Sequence, residues 1–237
     1  MTPTRGTGRP QDGYYLANGN RVPGVTTITG RAKDAGGLVY VAKKHWHEAG
    51  RRGLPFARDA YWGKPENWGV EATEAGTIAH QWIEDTIHGQ PRTPYLDTDA
   101  RAVEQAETAF GAYRKWAGRV RLEIMETEVP LVSEEYGYGG TLDALALVDA
   151  ESVLFDWKSS NSTYVDYIAQ LAAYRQLLRE RDGDRAPHEA HLLRFGKEFG
   201  DFHHHYFPAS VLDMGWQWFL AGLEIYNLDA RLKKVAA

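Results

Sequence analysis

Apolar positions along the chain fall into blocks whose period changes from helical to strand-like and back. Residues 1–13, rich in Gly, Pro, Thr and Arg, show no period and are expected to form a flexible arm. Residues 14–21 contain Asn18-Gly19, a two-residue turn signal, and predict a small hairpin. Residues 22–30 are β-branched and predict a short strand or the entry to a helix near Thr27. Helical spacing follows at 38–50, where Leu38, Val41, Ala42 and Trp46 stand against Lys43, Lys44 and His47. The clearest helix covers 71–88. Ile78, Ala79, Trp82, Ile83 and Ile87 form its stripe, His80 and Glu84 lie together at the edge, and Gly89 stops it. A second helix is expected from Thr98, as N-cap, to Trp116, burying Val103, Ala106, Phe110 and Tyr113.

The period then shortens. Residues 122–132 predict a strand, with Pro130 barring a central position beyond it. Residues 142–148 and 153–158 predict two strands around the turn-prone Asp149-Ala150-Glu151-Ser152, and a helix follows over 164–180. Two more strands, 189–195 and 199–207, flank a turn at Gly196-Lys197-Glu198. The last block, 208–234, is a long amphipathic helix with Val211, Leu212, Trp216, Phe219, Leu220 and Leu223 on its apolar face. No repeat interrupts this order, which predicts one mixed α/β domain over 14–237. Within it, 14–70 form a basic, aromatic lobe and 71–237 the core.

Bulk composition narrows the function. The 237 residues are 43% apolar and 25% charged, enough for a sizeable core. A net charge of −5 argues against a binder driven by overall charge. The basic residues are concentrated, however: between Arg31 and Lys64 eight basic residues face three acidic ones, a local +5. Lys43, Lys44, Arg51 and Arg52 there are candidates for phosphate contact, interleaved with Phe56, Tyr61, Trp62 and Trp68, although a solvated helix face with a small satellite core explains the same pattern. The chain has no cysteine, which excludes disulfides, thiol catalysis and cysteine-bound metal clusters. No apolar run is long enough to span a bilayer, and the opening residues lack a signal peptide's apolar segment, so a cytoplasmic location without membrane contact is expected.

Charges inside apolar runs carry the chemistry. Asp143 lies in the first strand of the 142–158 hairpin, Asp156 and Lys158 in the second, and burying a charge is costly unless it is paired or holds a metal. With a four-residue loop, Val148 opposes Val153, Leu145 faces Asp156 and Asp143 faces Lys158. Alternation then puts Asp143, Leu145, Asp156 and Lys158 on one face and Val153, Phe155 and Trp157 on the other. The two carboxylates become diagonal neighbours able to converge on a hard dication, Mg²⁺ or Mn²⁺, with Lys158 beside it. An internal salt bridge on a half-buried sheet is the competing explanation. Gly139-Gly140 would let backbone approach a ligand closely, and Gln170 and Tyr174 share a helix face with donors for phosphate. His203 and His205 could chelate but fit a polar strand face better, since adjacent strand residues point to opposite sides. Ser159 and Ser160 lack the glycine-flanked elbow of a serine nucleophile, and no phosphate-binding glycine loop is present.

These segments together resemble a known group. Gly139-Gly140-Thr141-Leu142-Asp143, then Leu154-Phe155-Asp156-Trp157-Lys158, then Gln170 through Tyr174, are similar to the motifs of the PD-(D/E)XK nuclease superfamily. They resemble in particular its RecB-like branch, which includes phage-type exonucleases. Gly76 through His80 matches the histidine helix of that branch, and Val22 through Ile28 resembles an N-terminal motif of some members. The resemblance implies a restriction-endonuclease-like mixed central sheet flanked by helices. It implies Mg²⁺ or Mn²⁺, one or two ions, held by His80, Asp143, Asp156 and the backbone carbonyl of Trp157, with Glu128 in a secondary role. Lys158 would be the catalytic lysine, with Gln170 and Tyr174 bracing the site and contacting DNA, and Ser159 near the phosphate. The proline usual before the first aspartate is replaced by Leu142, and without cysteines the iron–sulfur subgroup is excluded. The implied activity is exonucleolytic hydrolysis of single-stranded DNA or DNA with free ends in recombination, replication or repair, beside partner proteins, in a bacterium or a phage-infected cell. The alternative is a catalytically silent DNA-binding partner of the same fold.

Overall fold

A computed structural model describes residues 3–32, 70–158, 160, 162–195 and 202–236. Its elements, in chain order, begin with short strands β1 (Thr4–Arg5), β2 (Tyr14–Tyr15) and β3 (Arg21–Val22), then helices α1 (Val25–Ala32), α2 (Val70–Ile87) and α3 (Ala100–Ala117). Strands β4 (Leu122–Ser133), β5 (Tyr138–Val148) and β6 (Glu151–Lys158) precede α4 (Val165–Asp182). Strands β7 (Ala190–Phe195) and β8 (Phe202–Phe207) lead to α5 (Ala209–Val235). The basic lobe with Lys43, Lys44, Arg51 and Arg52, the 196–198 turn and Ser159 lie outside the described residues.

Six strands form one mixed sheet in the order β1-β4-β5-β6-β7-β8. The β4–β5, β5–β6 and β7–β8 pairs are antiparallel; β1 joins β4 and β6 joins β7 in parallel. A parallel pair needs a crossover, and α4 supplies it between β6 and β7. Helices cover both faces, as the restriction-endonuclease-like architecture requires. One core holds Ile78, Ile83, Ala106, Phe110 and Tyr113 of α2 and α3 against Val153, Phe155 and Trp157. The other holds Ile28 of α1, Leu171, Tyr174 and Leu178 of α4, and Leu212, Phe219 and Leu223 of α5 against Leu142, Leu145 and Leu154. Each such large apolar side chain, once fully buried, contributes roughly 1.5–3 kcal/mol. The helix α4 is buried on most of its circumference because its alanines let both sheet and α5 approach; Gly215 of α5 sits where a Cβ would lie 2.9 Å from the Ile168 carbonyl.

Several expectations change. The arm is ordered at Thr4–Arg5, which extends the sheet edge by pairing with Glu126 and Thr127. Two backbone bonds continue the contact, Gly6 N–H to Thr127 O at 2.7 Å and Gly8 N–H to Glu128 O at 3.1 Å. The 14–22 hairpin exists, but Asn18-Gly19 is part of a five-residue loop closed by Leu16 N–H to Asn20 O. Segment 22–30 is both things predicted for it, a strand end and then a helix. The N-cap of α3 is Asp99 rather than Thr98, and its carboxylate accepts from Arg101 and Ala102 N–H.

The largest correction concerns the central hairpin. Its loop has two residues, not four: Val148 pairs with Glu151 and Ala144 with Phe155. Asp149 and Ala150 both adopt positive φ, 50° and 73°, the combination whose twist matches a two-residue hairpin. The register is therefore two residues away from the one expected. Asp143 does not face Lys158; one step beyond the last pair, the ladder sets it against Asp156. A shift of two preserves the faces, so Asp156 and Lys158 remain opposite Val153, Phe155 and Trp157.

Candidate active site

The ladder of β5 opens at Asp143. Strict alternation would put Leu142 with Ala144, yet Tyr138, Leu142 and Leu145 all pack on the α4 side, while Ala144 and Ala146 join the α2–α3 side. The opposing residue on β4, Glu128, carries a positive φ of 50°. This local switch turns Asp143 inward, where its Oδ2 accepts the backbone N–H of Trp157 at 2.8 Å. Trp157 thus meets Asp143 through its N–H.

Asp156, only 1% exposed, is the centre of the cluster. Lys158 Nζ lies 2.5 Å from its Oδ2, and Gln170 Nε2 reaches its Oδ1 at 3.4 Å while donating to Tyr174 Oη at 2.9 Å. Gln170 and Tyr174 are themselves buried, 8% and 3% exposed, so they brace the carboxylate from α4. The glycines before Asp143 make room for side chains, contrary to the ligand expected there. A Cβ at Gly140 would stand 2.6 Å from the Tyr174 ring, and one at Gly139 would stand 2.4 Å from Tyr14. The 22–28 segment docks at the same place, through Gly139 N–H to Pro23 O at 3.0 Å.

Electrostatics follow from burial. It raises the Asp143 pKa, against the opposing pull of Lys158 and the Trp157 N–H. It likewise raises Asp156 to about 6, with Lys158 lowering, Asp143 raising and His80 lowering the value. Burial works against the Lys158 ammonium, but Asp156 and Asp143 outweigh it and raise its pKa. The lysine is therefore a fixed positive charge.

Beside this cluster runs a cleft of about 420 Å³ lined by Arg5, Thr7, His80, Gln81, Glu84 and Glu128. Glu128 is pushed up to about 7, by burial first and then by Asp143 and Glu84. Among the described residues Glu84, 4% exposed, has no well-aligned hydrogen-bond partner on either carboxylate oxygen; its charge is met by Arg5 Nε at 3.0 Å. Sequence reading set Glu84 beside His80 without giving it a role, and missed Arg5, since a two-residue strand has no period to detect. The structure thus gathers His80, Glu128, Asp143, Asp156, Lys158, Gln170 and Tyr174, and leaves His203 and His205 on β8.

The donor set fits a hard dication. Four carboxylates (Glu84, Glu128, Asp143, Asp156) stand against two cations (Arg5, Lys158), so the ionised cluster carries an excess of two negative charges. All the anionic donors are oxygens, which suits Mg²⁺ or Mn²⁺. Among the described residues no three His, Asp or Glu side chains close into a cage by themselves. Mg²⁺ asks for none, since it is held by one or two carboxylates with water and substrate phosphate completing the shell.

No protein-family model matches the sequence, and no curated protein matches it. Among solved structures, one from Eubacterium rectale designated an exonuclease is similar at 12% identity and TM-score 0.45. The match covers 62% of this chain and 64% of that one, so the chain spans less than two thirds of its length. The alkaline exonuclease of Laribacter hongkongensis is similar at 15% identity and TM-score 0.33, over 67% of this chain and 85% of that one. Its complex with dAMP matches at 14% identity and TM-score 0.35, with the same coverage. No helix among the described residues is long and apolar enough to cross a membrane.

Proposed function

We propose that the chain is a Mg²⁺- or Mn²⁺-dependent DNA nuclease, an exonuclease acting on single strands or free ends in recombination, replication or repair. The observation that carries this reading is the meeting of Asp143, Asp156 and Lys158 at the open end of one hairpin, with Asp156 buried and braced by Gln170. A bland salt bridge needs one carboxylate; here two share a single ammonium, an arrangement that disfavours the charged carboxylates unless a further cation is supplied. The exonuclease and single-strand elements rest on the motif resemblance.

Asp143 and Asp156 would hold the ion, with His80 and the Trp157 carbonyl as further donors. When bound, such an ion polarises the phosphoryl oxygen and lowers the pKa of water. Lys158, kept protonated by its two aspartates, stabilises the negative charge that develops on phosphate and does not act as a base. Glu128, with its pKa near neutrality, is suited to take the proton of the attacking water. Gln170 holds Asp156 in orientation, and Tyr174 holds Gln170.

Incubation with linear, nicked and closed-circular DNA, with and without Mg²⁺ or Mn²⁺, tests the reading. Metal-dependent loss of linear DNA with the closed circle intact is expected. Degradation of the closed circle at the same rate would replace exonuclease by endonuclease, and no degradation of any DNA would leave a silent DNA-binding fold.

A further inference from the structure

The run His203-His204-His205 has no part in the cluster above, yet the sheet register ties it to Lys158. On β6 and β7, Lys158 pairs with Arg194; on β7 and β8, Arg194 pairs with His203. Three hydrogen-bond donors therefore stand in one transverse row, about 10 Å long from two strand spacings. They share the α4 face. Leu192, two residues before Arg194, and Phe207, two after His205, both pack into the core on that side. His204 turns the other way, to His191 and Trp116.

Contacts fix the row beside the start of α4. Arg194 Nη1 donates to Ser160 O at 2.6 Å, and His205 Nε2 lies 3.0 Å from Thr163 Oγ1. Next to them Tyr164, 42% exposed, meets Tyr167 edge-on at 5.3 Å between ring centres, and Lys158 Nζ lies 5.6 Å from the Tyr167 ring. Metal chelation by the histidines does not fit. The rings of His203 and His205 lie nearly parallel, 16° apart at 5.9 Å, and Arg194 beside them repels a cation. Fixed cations, imidazole N–H donors and an exposed aromatic suit a polyanion with unpaired bases, because an aromatic face stacks only on a base that is not already in a duplex.

We propose that Lys158, His203 and His205 form a track for the phosphate backbone of single-stranded nucleic acid, leading from the Asp143–Asp156 site across the β8 edge, with the buried Arg194 (5% exposed) holding a positive charge beneath it and Tyr164 stacking a base. The track rests on the nuclease reading for its destination but not for its binding.

Binding of fluorescein-labelled oligo(dT) of about 16 nucleotides, the upper range of such sites, is measured by anisotropy in EDTA with the full chain. The double variant His203→Glu/His205→Glu should bind at least about tenfold more weakly, with a shallower salt dependence. Tyr164→Ala should lose about fivefold or more, and His203→Gln/His205→Gln, which keeps N–H donors, should stay within about threefold of the parent on the same scale. Hydrolysis of bis(p-nitrophenyl) phosphate with Mn²⁺ should be unchanged in all three, because that diester is too small to reach β8. Unchanged oligo(dT) affinity in the Glu and Tyr164 variants overturns the track, as does a duplex that binds as tightly and loses as much. If no variant and no parent hydrolyses any diester, the nuclease reading fails, and the anisotropy result still decides the track.

Discussion

Trp157 donates its backbone N–H to the Asp143 carboxylate at 2.8 Å, two residues beyond the last backbone pair of β5 and β6, Ala144 with Phe155. A side chain thus takes over where the ladder ends. That substitution draws Asp143 toward Asp156 and makes Lys158 the counter-ion of both.

Removing that counter-ion should expose the cost of the pair. Lys158→Met leaves buried carboxylates uncompensated, and breaking a buried ion pair costs about 3–5 kcal/mol. The metal-free variant should melt well below the parent, and Mg²⁺ should recover more stability in the variant than in the parent. Equal melting of both without metal would show that the lysine is not needed to offset Asp143 and Asp156.

The Gln170 amide orients Asp156 without itself facing the cleft. Gln170→Ala is expected to weaken Mn²⁺ binding about 10–100-fold, as loss of an outer contact to a ligand does. Calorimetry checks it; affinity equal to the parent would show that Gln170 does not hold Asp156 for the ion.

Close packing at Gly140 gives a steric prediction. In Gly140→Ala the new methyl meets the Tyr174 ring at 2.6 Å and Val25 at 2.9 Å. Overpacking of this kind costs about 1–3 kcal/mol, so the denaturant midpoint should fall. An unchanged midpoint would mean that Tyr174 can move aside.

His191 sets an acid limit. Burial first, and then His204, push its pKa from 6.5 down to about 4, against the pull of Glu189. The unfolded chain therefore takes up a proton that the fold refuses between those values. Stability from this group is intact above pH 6.5 and is lost as pH falls toward 4, by at most about 3 kcal/mol. His191→Phe should flatten the pH dependence of the melting temperature in that window.

Long periodic segments were legible in the sequence: α2, α3, α4 and α5 fall within a few residues of their expected bounds, and the stripe Ile78, Trp82, Ile83 is buried as read. The faces of β6 were legible too, because parity survives a slip of two residues, whereas the switch of faces in β5 beside Asp143 was not. The partner of Asp143 was not. Asp149-Ala150 is a weak turn signal, since a non-glycine residue seldom takes positive φ, and two residues of loop length moved the register. The roles of Arg5 and Glu84 depend on a contact across more than seventy residues, which no local pattern encodes.

In the proposed mechanism Asp143, Asp156 and Lys158 act as one metal-dependent site. Single-turnover degradation of end-labelled linear DNA, with Mg²⁺ and with EDTA, tests it most directly in the parent, Asp156→Asn and Lys158→Met. Turnover by the parent is expected in Mg²⁺ alone, with a loss of at least about a thousandfold in each variant. Degradation that persists in either variant, or that continues in EDTA, would contradict it.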